Sequence, residues 1–138
     1  MKANSLRIGN LILFPAESNN GLLIPSVIRK VDAIEIGKVT SLNPPSSPSN
    51  FEAKIKNCGG IKLTEEWVKK FGFNFQENYW QIKIAEYLKI GFDSERLFLV
   101  IDVEADDYYS IQIDLPIKYV HELQNLFFAI TGTELEMK

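Results

Sequence analysis

The chain has 138 residues, 46% of them hydrophobic and 24% charged, with a formal net charge of −3. That balance excludes disordered and fibrous chains, and one domain or two very small ones of this length bury roughly two thirds of their unfolded surface without help from disulfides or metals. A single cysteine and a single histidine exclude an internal disulfide and a four-cysteine zinc site, so no metal or cofactor is expected. No apolar run approaches the ~18 residues of a membrane helix, and the opening MKANSLRIGNLILF is too polar and broken for a signal peptide. A cytoplasmic protein is expected.

The first half reads as β. Leu6 to Phe14 is an apolar run interrupted at Gly9-Asn10, where a bulge or sharp bend is expected. Ser18-Asn19-Asn20-Gly21 is a turn signal. Leu22 to Val31, with Pro25 inside it, and Ala33 to Leu42 are the next strand candidates, connected tightly at Asp32. Residues 43–50 carry three prolines and three serines and read as a mobile loop, whose Pro45-Ser46-Ser47-Pro48 fits PxxP without a flanking basic residue. Phe51 to Lys56 is a fourth strand, and Asn57-Cys58-Gly59-Gly60 a turn.

The second half begins with a short helix, about 64–71, with Thr64 as N-cap, acids in its first turn, lysines in its last and Gly72 as its stop. Alternation over Tyr79 to Tyr87, Lys89 to Phe92, Leu97 to Val103 and Tyr108 to Ile113 predicts an antiparallel meander. Asp93-Ser94-Glu95 and Glu104-Ala105-Asp106-Asp107 are its connections. A second helix, about 116–131, opens at Asp114-Pro116 and stops at Gly132, with Tyr119, Val120, Leu123, Leu126, Phe127 and Ile130 as its core stripe. Glu134 to Met137 is a candidate final strand. The expected architecture is one compact α+β unit over 1–138. Its residues 1–63 form an SH3-like small barrel or half-barrel of short strands, and residues 64–138 an antiparallel sheet covered by the two helices.

The chemistry-bearing residues are sparse. His121, Gln124, Asn125 and Phe128 share the helix side away from the core stripe, where a solvated face would carry Lys and Glu, and this suits a contact with a protein partner or a second copy. The alternative is that another element of the same domain covers that face. Asp102, Glu104, Asp106 and Asp107 cluster, but an EF-hand needs Gly and Glu where Asp107 and Ile113 stand, so a solvated hairpin tip is expected. Cys58 and His121 make a nucleophilic pair only if the fold brings them into one pocket. No phosphate-cradling loop, GxSxG or HExxH occurs. Residues 1–63 hold eight Lys/Arg against four Asp/Glu, a net of +4, and residues 64–138 seven against fourteen, a net of −7. Arg7, Arg29, Lys30, Lys54 and Lys56 are therefore the candidates for nucleic-acid contact.

Three stretches occur in a distinctive order: Leu6-Arg7-Ile8-Gly9-Asn10; Leu63-Thr64-Glu65-Glu66-Trp67 with Lys70-Phe71-Gly72-Phe73; and Tyr119 through Ala129 with Thr131-Gly132. Together they resemble a family of short uncharacterised proteins of gut Bacteroidetes and their phages and mobile elements. The resemblance implies an accessory protein associated with such elements and brings no biochemical activity with it. Cys58 and the Pro/Ser loop lie outside the shared words. The expected function is a non-enzymatic interaction or adaptor module; the alternatives are a nucleic-acid-binding accessory protein and an enzyme.

Overall fold

The computed structural model describes residues 1, 6–15, 17–19, 22–24, 27–35, 38–41 and 51–138. The predicted loop at 43–50, Asn20-Gly21 and Pro25 lie outside these. The chain contains the expected α+β mixture. Where the sequence predicts one unit with a division near residue 63, packing groups the chain into two units, residues 1–61 with 119–125 and residues 62–118 with 126–138. Each is described by itself.

The first unit is built of short strands: β1 (Leu11–Phe14), β2 (Glu17–Asn19), β3 (Leu22–Ile24), β4 (Val27–Lys30), β5 (Ala33–Glu35), β6 (Lys38–Ser41) and β7 (Phe51–Lys54). All pairings are antiparallel: β1 with β4, β2 with β3, and β5–β6–β7 in order. The predicted strand Leu6–Phe14 starts only at Leu11, because Gly9 takes a φ of 95° and the Asn10 amide N–H turns back to the Arg7 carbonyl at 3.2 Å. Ala33 to Leu42 is not one strand but a hairpin, with Ile34 opposite Val39 and Glu35 opposite Lys38. After β7 a 3-10 turn, Ile55–Asn57, leads the chain back to β1, where Leu13 and Gly59 exchange two backbone hydrogen bonds of 2.9 Å. Inward alternation along these strands gathers Leu6, Ile12, Phe14, Val31, Val39, Ile55 and Cys58 into one core, flanked by Met1 and Ile34.

The second unit opens with α1 (Glu65–Lys70), one residue shorter at each end than predicted. Thr64 makes no side-chain cap, so the favourable charges at its two ends and the left-handed Gly72 define the helix. The Gly72 and Phe73 amides donate to the carbonyls of Lys69 and Val68 at 2.9 and 3.1 Å. The meander follows as β8 (Asn74–Gln76), β9 (Tyr79–Ala85), β10 (Leu88–Asp93), β11 (Arg96–Val103) and β12 (Tyr109–Leu115), in spatial order β12-β11-β10-β9-β8. The sequence reading missed β8. Directly opposed residues share a sheet face, so the register stacks apolar rows across the strands. Trp80, Phe92, Leu97 and Leu115 form one row, and Ile82, Ile90, Leu99 and Ile113 the next. A third runs through Leu88, Ile101 and Ile111. α1 lies against β9 and β10. Ile90, Phe92 and Leu97 are buried, while Ile111 and Ile113 on β12 remain 43% and 45% exposed.

The last helix, α2, runs Val120–Thr131 rather than from about residue 116. Asp114 and Leu115 stay in β12. The Lys118 carbonyl accepts from Leu63 N–H at 2.8 Å and Val120 N–H donates to the Ile61 carbonyl at 2.9 Å, so this stretch is extended and its backbone is already paired. The helix starts where Glu122 Oε2 accepts the Tyr119 N–H at 3.1 Å, half of a capping box, and ends at Gly132 with φ 73°. The tail Glu134 to Met137 forms no strand; Leu135 is buried, and Lys138 N–H reaches the Lys70 carbonyl at 2.7 Å. No helix is long and apolar enough to cross a membrane among the described residues.

Two hairpin tips, Glu77-Asn78 and Ser94-Glu95, hold both central residues at positive φ, between 48° and 72°, without a glycine. Such mirror-image turns favour Asn-Gly, and each ill-suited residue in the left-handed region costs roughly 1 kcal/mol. The double change Ser94→Asn, Glu95→Gly gives up the Lys62–Glu95 ion pair, whose side chains are 63% and 66% exposed and which is worth under about 1 kcal/mol. Thermal denaturation is expected to show a midpoint a few degrees higher; an unchanged or lower midpoint contradicts the strain argument.

Candidate functional site

Asn10 has no exposed surface. Its Oδ1 accepts the Arg7 N–H at 2.7 Å, its Nδ2 donates to Asn125 Oδ1 at 3.0 Å, and its own carbonyl accepts from Val31 N–H at 2.8 Å. Asn125 Oδ1 also accepts from Arg7 Nη1 at 3.4 Å, and Gln124 Oε1 accepts the Leu11 N–H at 2.9 Å. The polar side of α2 therefore serves as hydrogen-bonding groups for the turn at Arg7–Asn10 and the first amide of β1. His121 and Gln124 are each only 3% exposed, and Asn125 is half-buried. Of the two readings of the face His121, Gln124, Asn125 and Phe128, the exposed surface is corrected for the first three, which are covered within the first unit as the alternative had it, and Phe128, grouped with the second, is the exposed one at 37%. The core stripe shifts in consequence. Val120 and Leu123 are fully buried, whereas Tyr119 and Ile130 are exposed.

Cys58 and His121 do meet at one cavity, of about 330 Å³, lined also by Met1, Gly59, Gly60, Tyr119 and Glu122. The Tyr119 ring stacks on the imidazole at 5.8 Å, and a Cβ on Gly60 would stand 2.7 Å from that ring, so only glycine lets the backbone approach so closely. His121 Nδ1 is buried without a hydrogen-bond partner. Burial pushes the imidazole below its ordinary range, against the pull of the neighbouring Glu122 carboxylate. Burial also pushes the Cys58 thiol up, and its Sγ contacts the Lys54 carbonyl at 3.6 Å. Both groups are held towards their neutral forms, the reverse of a thiolate–imidazolium pair.

The basic candidates of the first unit do not share one face. Arg29 and Lys30 are consecutive on β4, half-buried and exposed respectively, and so point to opposite sides. Arg7 is half-buried at the Asn125 side chain. Lys54, at the end of β7, is exposed and stands directly opposite exposed Lys38, with exposed Lys56 two residues further on. Lys38 is the residue sequence reading missed; only the strand register reveals that it faces Lys54.

In the second unit Asp102 is separated from the acidic residues that follow it. Its side chain is buried on β11, accepting from Ser110 Oγ at 2.7 Å and pairing with Lys89 Nζ at 3.2 Å. Glu104, Asp106 and Asp107 lie exposed in the connection to β12. The Ser110 hydroxyl, and after it Lys89, outweigh burial and hold the Asp102 carboxyl below the ordinary carboxylate range. Burial opposes the Lys89 charge, but the Asp102 hydrogen bond and charge leave its ammonium above its ordinary value. On the other sheet face, Tyr109, Ile111 and Ile113 of β12 form an apolar stripe, all between 43% and 50% exposed. Alternation in the sequence makes this stripe legible; its exposure is not.

No family model matches the chain, and no curated protein or solved structure matches it.

Two stability predictions follow from these contacts. Asn10→Ala leaves the Arg7 amide without its acceptor and takes the Nδ2 donor, closer than Arg7 Nη1, from Asn125 Oδ1, and it is expected to cost about 2–3 kcal/mol in denaturant unfolding; a cost below about 1 kcal/mol contradicts the account. For pH, His121 and Asp102 both have lowered values in the folded chain, so the unfolded chain binds more protons than the native one as pH falls. Stability is expected to decline first below the ordinary imidazole range and again in the carboxylate range. Asp102→Asn removes the second step, and its persistence in that variant contradicts the assignment.

Proposed function

We propose that the protein is a non-enzymatic protein-interaction module of the cytoplasm, associated with phages or mobile elements, that docks through the outer part of the apolar sheet face in its second unit. The observation that carries this reading is the stripe Tyr109, Ile111 and Ile113 on β12, at 50%, 43% and 45% exposure. Contiguous apolar patches on soluble domains mark interaction surfaces, and the stripe continues inward through half-buried Ile101 and Leu99. Exposed Phe128 is the member of the predicted helix face that a partner reaches without opening the fold. The neutral Cys58 and His121 support a non-enzymatic reading. The strand order of the first unit supports an SH3-like half-barrel. β1 pairs with β4, the chain continues through Val31 and Asp32 into β5–β6–β7, and after the 3-10 turn it returns to β1. Folds of that kind host binding functions without specifying one.

The test is capture from host lysate, nuclease-treated, with wild type and Ile113→Asp as baits of matched melting temperature. A protein bound by wild type and lost with Ile113→Asp is expected; identical captures by the two baits overturn the docking surface. The Lys38–Lys54 opposition favours a second reading, an anion-binding patch with Lys56, since like charges directly opposed across strands destabilise a sheet without a counter-charge. Under that reading, fluorescence anisotropy shows nucleic-acid affinity that falls steeply with salt and weakens in Lys54→Glu.

A further inference from the structure

The two edges of the five-stranded sheet differ. Among the described residues, β8 is three residues long, a common way of blunting an edge, whereas β12 is seven long, six of them exposed, with no proline, lysine or arginine among them. Its residues Tyr109-Ser110-Ile111-Gln112-Ile113-Asp114-Leu115 keep the same alternation of apolar and polar side chains in either direction about Gln112. We infer that a second copy of this chain pairs with β12 edge to edge and antiparallel, about a two-fold axis at Gln112, joining two five-stranded sheets into one. This rests on the interaction reading given above and names its partner.

The register follows from the pleat. Directly opposed residues share a face, so a shift by one residue would set apolar side chains against polar ones. Centring on Gln112 instead places Ile111 opposite Ile113 and Tyr109 opposite Leu115 of the second copy, and uses the whole strand. Ser110 then faces Asp114, a hydroxyl against a carboxylate, and no like charges oppose each other, because Asp114 is the only charge on the strand. Tyr109, Ile111 and Ile113 each retain on the order of 100 Å² of exposed surface. Edge pairing covers the flanks of these six side chains and the two strand backbones but leaves their sheet face open, so the contact lies below the roughly 1,000 Å² of a stable interface and is a weak one. The dimer is accordingly concentration-dependent, and its contact is isologous.

Light scattering across a dilution series of the wild-type protein, with Gln112→Cys and Ser110→Cys under mild oxidation, tests the proposal. The side chains of both positions are exposed, and wild-type Cys58, which is buried, is the background control. The expected result is a mass that rises from one chain towards two with concentration, and a disulfide-linked dimer from Gln112→Cys but not from Ser110→Cys, whose neighbour across the axis is Asp114. A single-chain mass throughout overturns the dimer. In that case, loss of a captured protein with Ile113→Asp keeps the interaction reading, and identical captures end both. A mass that doubles while Ser110→Cys links as readily as Gln112→Cys overturns this interface.

Discussion

The carboxamide of Asn10 is the constraint on which the first unit depends. A side chain with no exposed surface must satisfy both its oxygen and its nitrogen, and here the two requirements point in different directions along the chain. The oxygen closes the turn onto Arg7, and the nitrogen demands an acceptor, which Asn125 of α2 provides. Once Asn125 is fixed, helical spacing brings Gln124 to the Leu11 amide and His121 to the Cys58 cavity. The sparsity of chemistry on the surface of α2 follows from this. Its polar groups are occupied in holding the β-rich segment, and the price is one imidazole nitrogen left without a partner.

The second unit meets a different limit. A six-residue helix spans only about 9 Å, whereas strands of seven or eight residues run to about 25 Å. α1 lies against β9 and β10, with Lys69 over the Trp80 ring, and is too short to extend along the whole apolar face. From buried Ile90 and Phe92 on β10, exposure grows along these rows towards β12. The opposite face holds the buried apolar cluster Tyr79, Phe98 and Val100, and beside it Ser110, Asp102 and Lys89 make a hydrogen-bonded chain across three neighbouring strands. With one face closed by that cluster and its polar neighbours and the other partly covered by a short helix, the sheet keeps an apolar remainder on β12.

Much of this architecture is legible in the sequence because it is local. Alternation marks β9 to β12, and Gly72 and Gly132 mark helix ends by the left-handed backbone they adopt. What is missed is non-local. β8 is three exposed residues whose extended form depends on pairing with β9. The start of α2 moves because Lys118 and Val120 find partners at Leu63 and Ile61, more than fifty residues away. A helical wheel sets His121 opposite Leu123 and Gln124 beside the core stripe, and by itself does not say whether another element covers them. Their burial depends on an amide at Leu11, which helical periodicity does not represent. Cys58 and His121 reach one cavity for the same reason, through a fold that returns residue 59 to β1.

The division of α2 has a consequence for how such a chain can be cut and joined. Residues 1–61 look like a self-sufficient β segment, yet the unit they belong to is completed by 119–125, including Val120 and Leu123, neither with any exposed surface. Between those two pieces lies most of the second unit. Continuity of packing and continuity of the polypeptide therefore run in different orders. A recombination break near residue 62 severs the first unit from its share of α2 instead of releasing it, so neither half of the sequence carries the whole of its unit.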